Sequence, residues 1–144
     1  MSGVRLAQVT DEPIDPGHLL ALVSRPEAGA VTLFVGVVRD HDPQAAGDVV
    51  ALDYTCHPSA PQRIGEIVED VLATDDPQGH CAVAAVHRIG HLEVGDNAFV
   101  VAVSAPHRRL AFAVCERVVE QVKQQLPIWK QQFEADGSYR WSGL

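Results

Sequence analysis

Lysine is nearly missing from this chain of 144 residues: Lys123 and Lys130 are the only two, and the other nine of its eleven basic residues are arginine. Basic charge is scarce altogether, since 19 acidic residues leave a formal net charge of −8. That balance lacks the cationic footprint on which phosphate-backbone binding depends, so a nucleic-acid surface is not expected. Long apolar runs are missing too. No segment approaches the ~18 uninterrupted apolar residues of a membrane span, and the opening MSGVRLAQVTDEP carries acids where a secretory leader would carry an apolar core. No membrane association is expected, and the expected location is the cytoplasm. Cysteine is rare and odd in number: Cys56, Cys81 and Cys115 have no CxxC spacing, which argues against a disulfide framework and against a cysteine-held metal.

What the chain does have is a hydrophobic content of 47%, at a length that fits one domain over residues 1–144. No internal repeat or low-complexity tract interrupts it, and RDHDPQAAGD (39–48) is only of loop length. VRLAQVT (4–10) alternates like a strand, and DPGHLLALVSR (15–25) reads as a short helix capped by Asp15 with Pro16 in its first turn. GAVTLFVGVVRD (29–40) is a nearly continuous apolar and β-branched run, the pattern of a strand covered on both faces. VVALDYT (49–55), HCAVAAVHRIG (80–90) and NAFVVAVSA (97–105) read as further strands, the last two linked by HLEVGD with a turn at Gly95 and Asp96. SAPQRIGEIVEDVLAT (59–74) and HRRLAFAVCERVVEQVKQQL (107–126) are amphipathic at helical period. Strands and helices mix without a clean βαβ alternation, so the expected class is α+β with a mainly antiparallel sheet.

Pro127 ends the long helix, because proline supplies no N–H to the preceding turn and its ring clashes there. Lys123 therefore sits in a last turn, at the negative end of the helix. A second short helical piece is expected from Pro127 through Ile128, Trp129 and Lys130, before ADG (135–137) turns the chain. The two lysines thus straddle a forced bend. Either they are solvated helix-end residues, or they share a pocket in which paired ammonium groups bind an anion and act as acid, base or nucleophile.

Other polar groups have two readings as well. Arg39, with Asp40 and His41, is an anion clamp at a strand end or an ordinary loop entrance. His107 and Arg108 stand at a strand-to-helix junction that favours an anion, or simply cap the helix. His87 and His91 have an i, i+4 spacing that suits zinc on a helix, but Gly90 and β-like neighbours oppose a helix there. Cys115 falls on a buried helical face, Cys56 adjoins His57, and Trp129 with Phe133 forms a core stripe or half of a partner groove.

Four stretches in order, GAVTLFVGVVRDHD, VHRIGHLEVGD, HRRLAFAVCE and VKQQLPIWKQQFEADGSYRW, resemble the large, catalytic subunit of molybdopterin synthase, the MoaE family. The likeness runs from about Gly29 to Trp141. It implies an α/β hammerhead-type fold with an additional sheet. It also implies a homodimer of large subunits with a small ubiquitin-like sulfur-carrier subunit at each end, a heterotetramer. The implied reaction carries sulfur from the thiocarboxylated C-terminus of the small subunit to cyclic pyranopterin monophosphate, making the dithiolene of molybdopterin. No cofactor and no metal is implied for this chain, and its thiols become structural. Residue by residue, Lys123 and Lys130 fall on the family's two active-site lysines, Arg39 on its pocket arginine, and His107 with Arg108 on its HR pair. Val37, Val38, Gln131 and Gln132 fall on further substrate contacts. The chain departs from the family pattern at Thr55 and His57, where glutamate and tyrosine are common. Two rival functions stand beside this one: a non-catalytic module docking a ubiquitin-like partner, and a Schiff-base lysine enzyme acting on carbonyl substrates.

Overall fold

The computed structural model describes residues 3–41 and 48–144, so most of the 39–48 loop lies outside the described residues. Along the chain run β1 (Val4–Thr10), α1 (Pro16–Val23), β2 (Ala30–Val37), β3 (Val49–Cys56), α2 (Ala60–Asp75), β4 (Ala82–Arg88), β5 (Gly90–Glu93), β6 (Asn97–Ala105), α3 (Arg108–Gln125), β7 (Ile128–Glu134) and β8 (Tyr139–Gly143). The strands form two four-stranded sheets. The first has the order β1-β4-β6-β2, with β1 parallel to β4 and the other pairs antiparallel. The second, β5-β3-β7-β8, is antiparallel throughout. The α+β class expected from the sequence is what the chain adopts.

Strands β4 and β6 are apolar at almost every position because helices cover both faces of the first sheet. Leu19 and Val23 of α1 pack on Ala82, Ala84, Val86, Val100 and Ala102. Ile64, Ile67, Val114 and Val118 of α2 and α3 pack on Val83, Ala85, Val101 and Val103 of the other face. Strand alternation carries His87 to this second face, two residues beyond Ala85. Strand β2, expected to be covered on both faces, is instead an edge strand with Val31 48% and Leu33 42% exposed. The short α1 packs mainly over β6 and β4 and leaves these side chains open.

Two local expectations are overturned around the second sheet. HLEVGD is more than a linker: Gly90–Glu93 forms β5 against β3, and the expected turn around Gly95 follows it. Gly90 has φ +94°, a left-handed value that glycine adopts at little cost, and it lets the chain pass from the first sheet to the second. The helical piece expected after Pro127 is absent as well. Leu126 closes α3 by donating its N–H to the Val122 carbonyl at 2.9 Å, and Ile128–Glu134 then pairs with β3 from Cys56 to Val49. The spacing of Trp129 and Phe133, four residues apart, suits a strand of period two as well as a helix. The edge of β3 supplies the ladder that decides between them. Among the described residues no helix is long and apolar enough to cross a membrane.

Candidate active site

The pairing of β7 with β3 sends Ile128, Lys130, Gln132 and Glu134 to one face and Trp129, Gln131 and Phe133 to the other. Lys130 and Gln132 thereby reach a cavity of about 250 Å³ lined by residues of both sheets and of α3. Lys123 enters the same cavity from the last turn of α3, where the unpaired carbonyl end of the helix favours a cation. Arg39 enters from beyond β2. The backbone before it is fixed by two hydrogen bonds: Val38 N–H donates to the Asp96 carbonyl at 2.9 Å, and Gly95 N–H donates to the Val38 carbonyl at 2.8 Å. The Val49 N–H donates to the Asp40 carbonyl at 2.9 Å and ties the following residues to β3. His41 also lines the cavity.

Three cations, Arg39, Lys123 and Lys130, therefore line one cavity in a chain whose acids outnumber its bases, and no Asp or Glu is among the described lining residues. Such a concentration of positive charge in a concave site attracts anions and disfavours cations. Gln132 adds an uncharged donor: it is 2% exposed, and its Nε2 has no hydrogen-bond partner among the described residues. A buried amide N–H left unpaired costs free energy that a ligand acceptor would recover.

The inner wall is aromatic. Tyr54 meets the His87 ring edge-on at 5.2 Å between centroids, and Phe99, the β6 residue paired with His87, stacks on it at 5.3 Å. Burial pushes the Tyr54 phenol up to about 12. Burial also pushes His87 down to about 4; its hydrogen bond to the Arg88 carbonyl works the other way and the charge of Lys123 adds to the depression. Both groups are neutral at pH 7.

Of the residues singled out from sequence, Val37, Val38, Arg39, Lys123, Lys130 and Gln132 come together here. Gln131 does not: it lies on the opposite face of β7, between Asp53 and Trp141 in register. His107 and Arg108 are exposed at the start of α3, and the fifteen residues from Arg108 to Lys123 put about 22 Å of helix between them within one chain. His91 pairs with Asp53 at 2.6 Å on the second sheet, apart from His87 in the wall. His57 turns its Nδ1 to Ser59, accepting the backbone N–H at 3.1 Å, so no thiol–imidazole pair forms with Cys56. Cys81 and Cys115 are buried, with thiols pushed up by that burial, and neither lines the cavity. Sequence reading passed over Tyr54, Phe99 and the place of His87 in the wall. A lone histidine on the core-facing register of an otherwise apolar strand was the available signal.

The profile of the family described as MoaE protein matches residues 9–125. The molybdopterin synthase catalytic subunit 1 of Mycobacterium tuberculosis is 40% identical over 136 residues, 94% of this chain and 89% of the relative. The molybdopterin synthase catalytic subunit of Bacillus subtilis is 35% identical over 137 residues, 94% of this chain and 83% of the relative. Among solved structures, the crystal structure of molybdopterin synthase from Staphylococcus aureus superposes with a TM-score of 0.85 at 28% identity, covering 100% of this chain and 99% of that one.

Proposed function

Because this chain belongs to the MoaE protein family, we propose that it is the catalytic subunit of a molybdopterin synthase and that the cavity is its sulfur-transfer site. Its substrate is cyclic pyranopterin monophosphate, and its sulfur source is the thiocarboxylate at the C-terminus of a small ubiquitin-like subunit. Each transfer leaves that subunit with an ordinary carboxylate, and two transfers make the dithiolene of molybdopterin. The observation that carries the reading is the meeting of Arg39, Lys123, Lys130 and the unpaired Gln132 amide in one cavity with no Asp or Glu among its described lining residues. Both reactants are anions, and both need a cationic pocket in this acidic chain.

Within that reading Arg39 and Lys130 hold the phosphate and orient the pterin, with guanidinium and ammonium donors suited to its oxygens. Lys123, on the helix end, is nearest the chemistry. It serves the acyl centre either as a proton donor and acceptor or as a fixed positive charge for the developing oxyanion. Val37 and Val38 form the apolar side of the substrate site, and Gln132 donates to it, while Gln131 supports it only through the sheet. His107 and Arg108 belong to such a pocket when a second copy of the chain supplies them, which a homodimer inside a heterotetramer provides. The work takes place in the cytoplasm.

The test is reconstitution with thiocarboxylated small subunit and cyclic pyranopterin monophosphate. Lys123→Ala should reduce molybdopterin formation by roughly 10²- to 10⁴-fold. Undiminished product would remove Lys123 from the reaction.

A further inference from the structure

His87 lines the cavity at 3% exposure and has no task in the reaction as described above. Its ring is held on three sides: by Tyr54 against the edge, by Phe99 across the face, and by the Arg88 carbonyl 2.8 Å from Nδ1. A carbonyl oxygen only accepts, so Nδ1 carries the proton and Nε2 of the neutral ring is a bare lone pair. His87 lines the cavity, and with Nδ1 engaged by its own strand Nε2 is the nitrogen left to meet a ligand there. The charged and titratable groups that line the cavity with this ring are, among the described residues, Lys123 from α3, Lys130 from β7, Arg39 and His41 beyond β2, Tyr54 from β3 and the terminal carboxylate of Leu144. Among these described groups only the Leu144 carboxylate is an anion, and the shift of His87, downward and caused first by burial, shows no anion holding an imidazolium. Arg39, Lys123 and Lys130 can only donate hydrogen bonds. The wall behind them offers an acceptor of fixed tautomer.

We propose that His87 is a further substrate-binding residue, its Nε2 accepting a hydrogen bond from an N–H or O–H of the heterocycle whose anionic group lies among Arg39, Lys123 and Lys130. The inference rests on the reading of the cavity as a pyranopterin site. It gives the pocket a means of selecting a nitrogen heterocycle over a bare anion. A phosphate held through its ionised oxygens by the three cations has no ring N–H to offer this wall and gains little from it. A pterin that finds the acceptor missing leaves a buried donor unpaired.

The test compares calorimetric binding of cyclic pyranopterin monophosphate and of inorganic phosphate to the wild-type chain, His87→Phe and His87→Gln. His87→Phe keeps the ring packing and removes the acceptor; it should weaken the pterin roughly 10- to 100-fold while phosphate changes less than about twofold. His87→Gln, whose carbonyl oxygen can reach near the Nε2 position, should recover part of the loss. Equal weakening of both ligands, an unchanged pterin affinity, or a glutamine variant no better than phenylalanine overturns the proposal. If the wild-type chain binds no pterin, the functional reading fails and takes this inference with it; wild-type binding with an indifferent His87→Phe overturns the inference alone. Should His87→Phe not fold, the ring ¹⁵N resonances of the wild-type protein decide. Nε2 must move to a hydrogen-bonded position on adding the pterin and stay put on adding phosphate, and an unmoved resonance with bound pterin overturns the proposal.

Discussion

Lys123 and Lys130 line the same cavity although one closes a helix and the other lies in the strand that follows. Pro127 stands between them and forces the change of direction. The bend aims both ammonium groups into one space, yet they arrive from different elements and have different neighbours. Lys123 shares its side of the cavity with His87, whose protonation its charge opposes, whereas Lys130 shares the inner face of β7 with Gln132. Their substitutions should therefore be separable. Lys130→Ala should raise KM for cyclic pyranopterin monophosphate by roughly tenfold with a smaller change in kcat, the mark of lost ground-state binding, while Lys123→Ala should lower kcat. Steady-state kinetics of the reconstituted complex checks this, and equal effects on the same parameter would contradict the division.

Much of this site was legible from a sequence containing only two lysines. Scarcity made Lys123 and Lys130 conspicuous, and Pro127 gave a physical reason for the bend between them. What hid the rest was sheet pairing. The residues after Pro127 satisfy helical and strand periods equally, and only the exposed edge of β3, some seventy residues earlier in the chain, makes them a strand. That pairing separates Gln132 from Gln131, which adjacency alone cannot do. β5 is four residues long, too short for its alternation to stand out from the adjoining turn. The apolar run of β2 suggested burial on both faces, but an edge strand carries such residues with one face open in a single chain. The distance from His107 to Lys123 follows from helix length and was available from the sequence; the convergence of the lysines with Arg39 was available only through the family resemblance, not from pattern or spacing.

Gly90 offers a test of how the two sheets are joined. A Cβ at this position meets nothing within 4 Å, so space is not the obstacle. The obstacle is φ +94°, which an L side chain adopts only with strain. Gly90→Ala should lower stability by about 1–3 kcal/mol, read as a shift of the urea midpoint at unchanged slope. A variant as stable as the parent would show that the passage between sheets does not depend on the left-handed conformation.

Buried His87 should also make the fold sensitive to mild acid. Its imidazole takes up a proton near 6.5 when the chain is unfolded and near 4 when it is folded. Between those values the unfolded chain holds the extra proton, so this contribution is fully present above about pH 6.5 and is lost as the pH falls toward 4. At pH 5 the loss should be about 2 kcal/mol relative to pH 7. Urea titrations of the wild-type chain and His87→Gln at both pH values isolate it, because glutamine does not titrate there. Parallel behaviour of the two proteins would mean that the ring is solvated or charged in the folded state.

The separation of His107 and Arg108 from Lys123 predicts a result that only two cooperating copies can give. If each cavity draws its lysines from one chain and its His–Arg pair from another, a Lys123→Ala chain and a His107→Ala/Arg108→Ala chain are each inactive as homodimers. A mixed dimer of the two has one cavity lacking all three groups and one lacking none of them. Random mixing in equal amounts places half of the dimers in that mixed form, so activity should return to about one quarter of the wild-type value. Co-expression with differently tagged chains, followed by the molybdopterin assay, measures it. A fully active double variant would remove His107 and Arg108 from the site. Two inactive variants with no recovery on mixing would place all three residues in the service of one chain, against the 22 Å of helix that separates them.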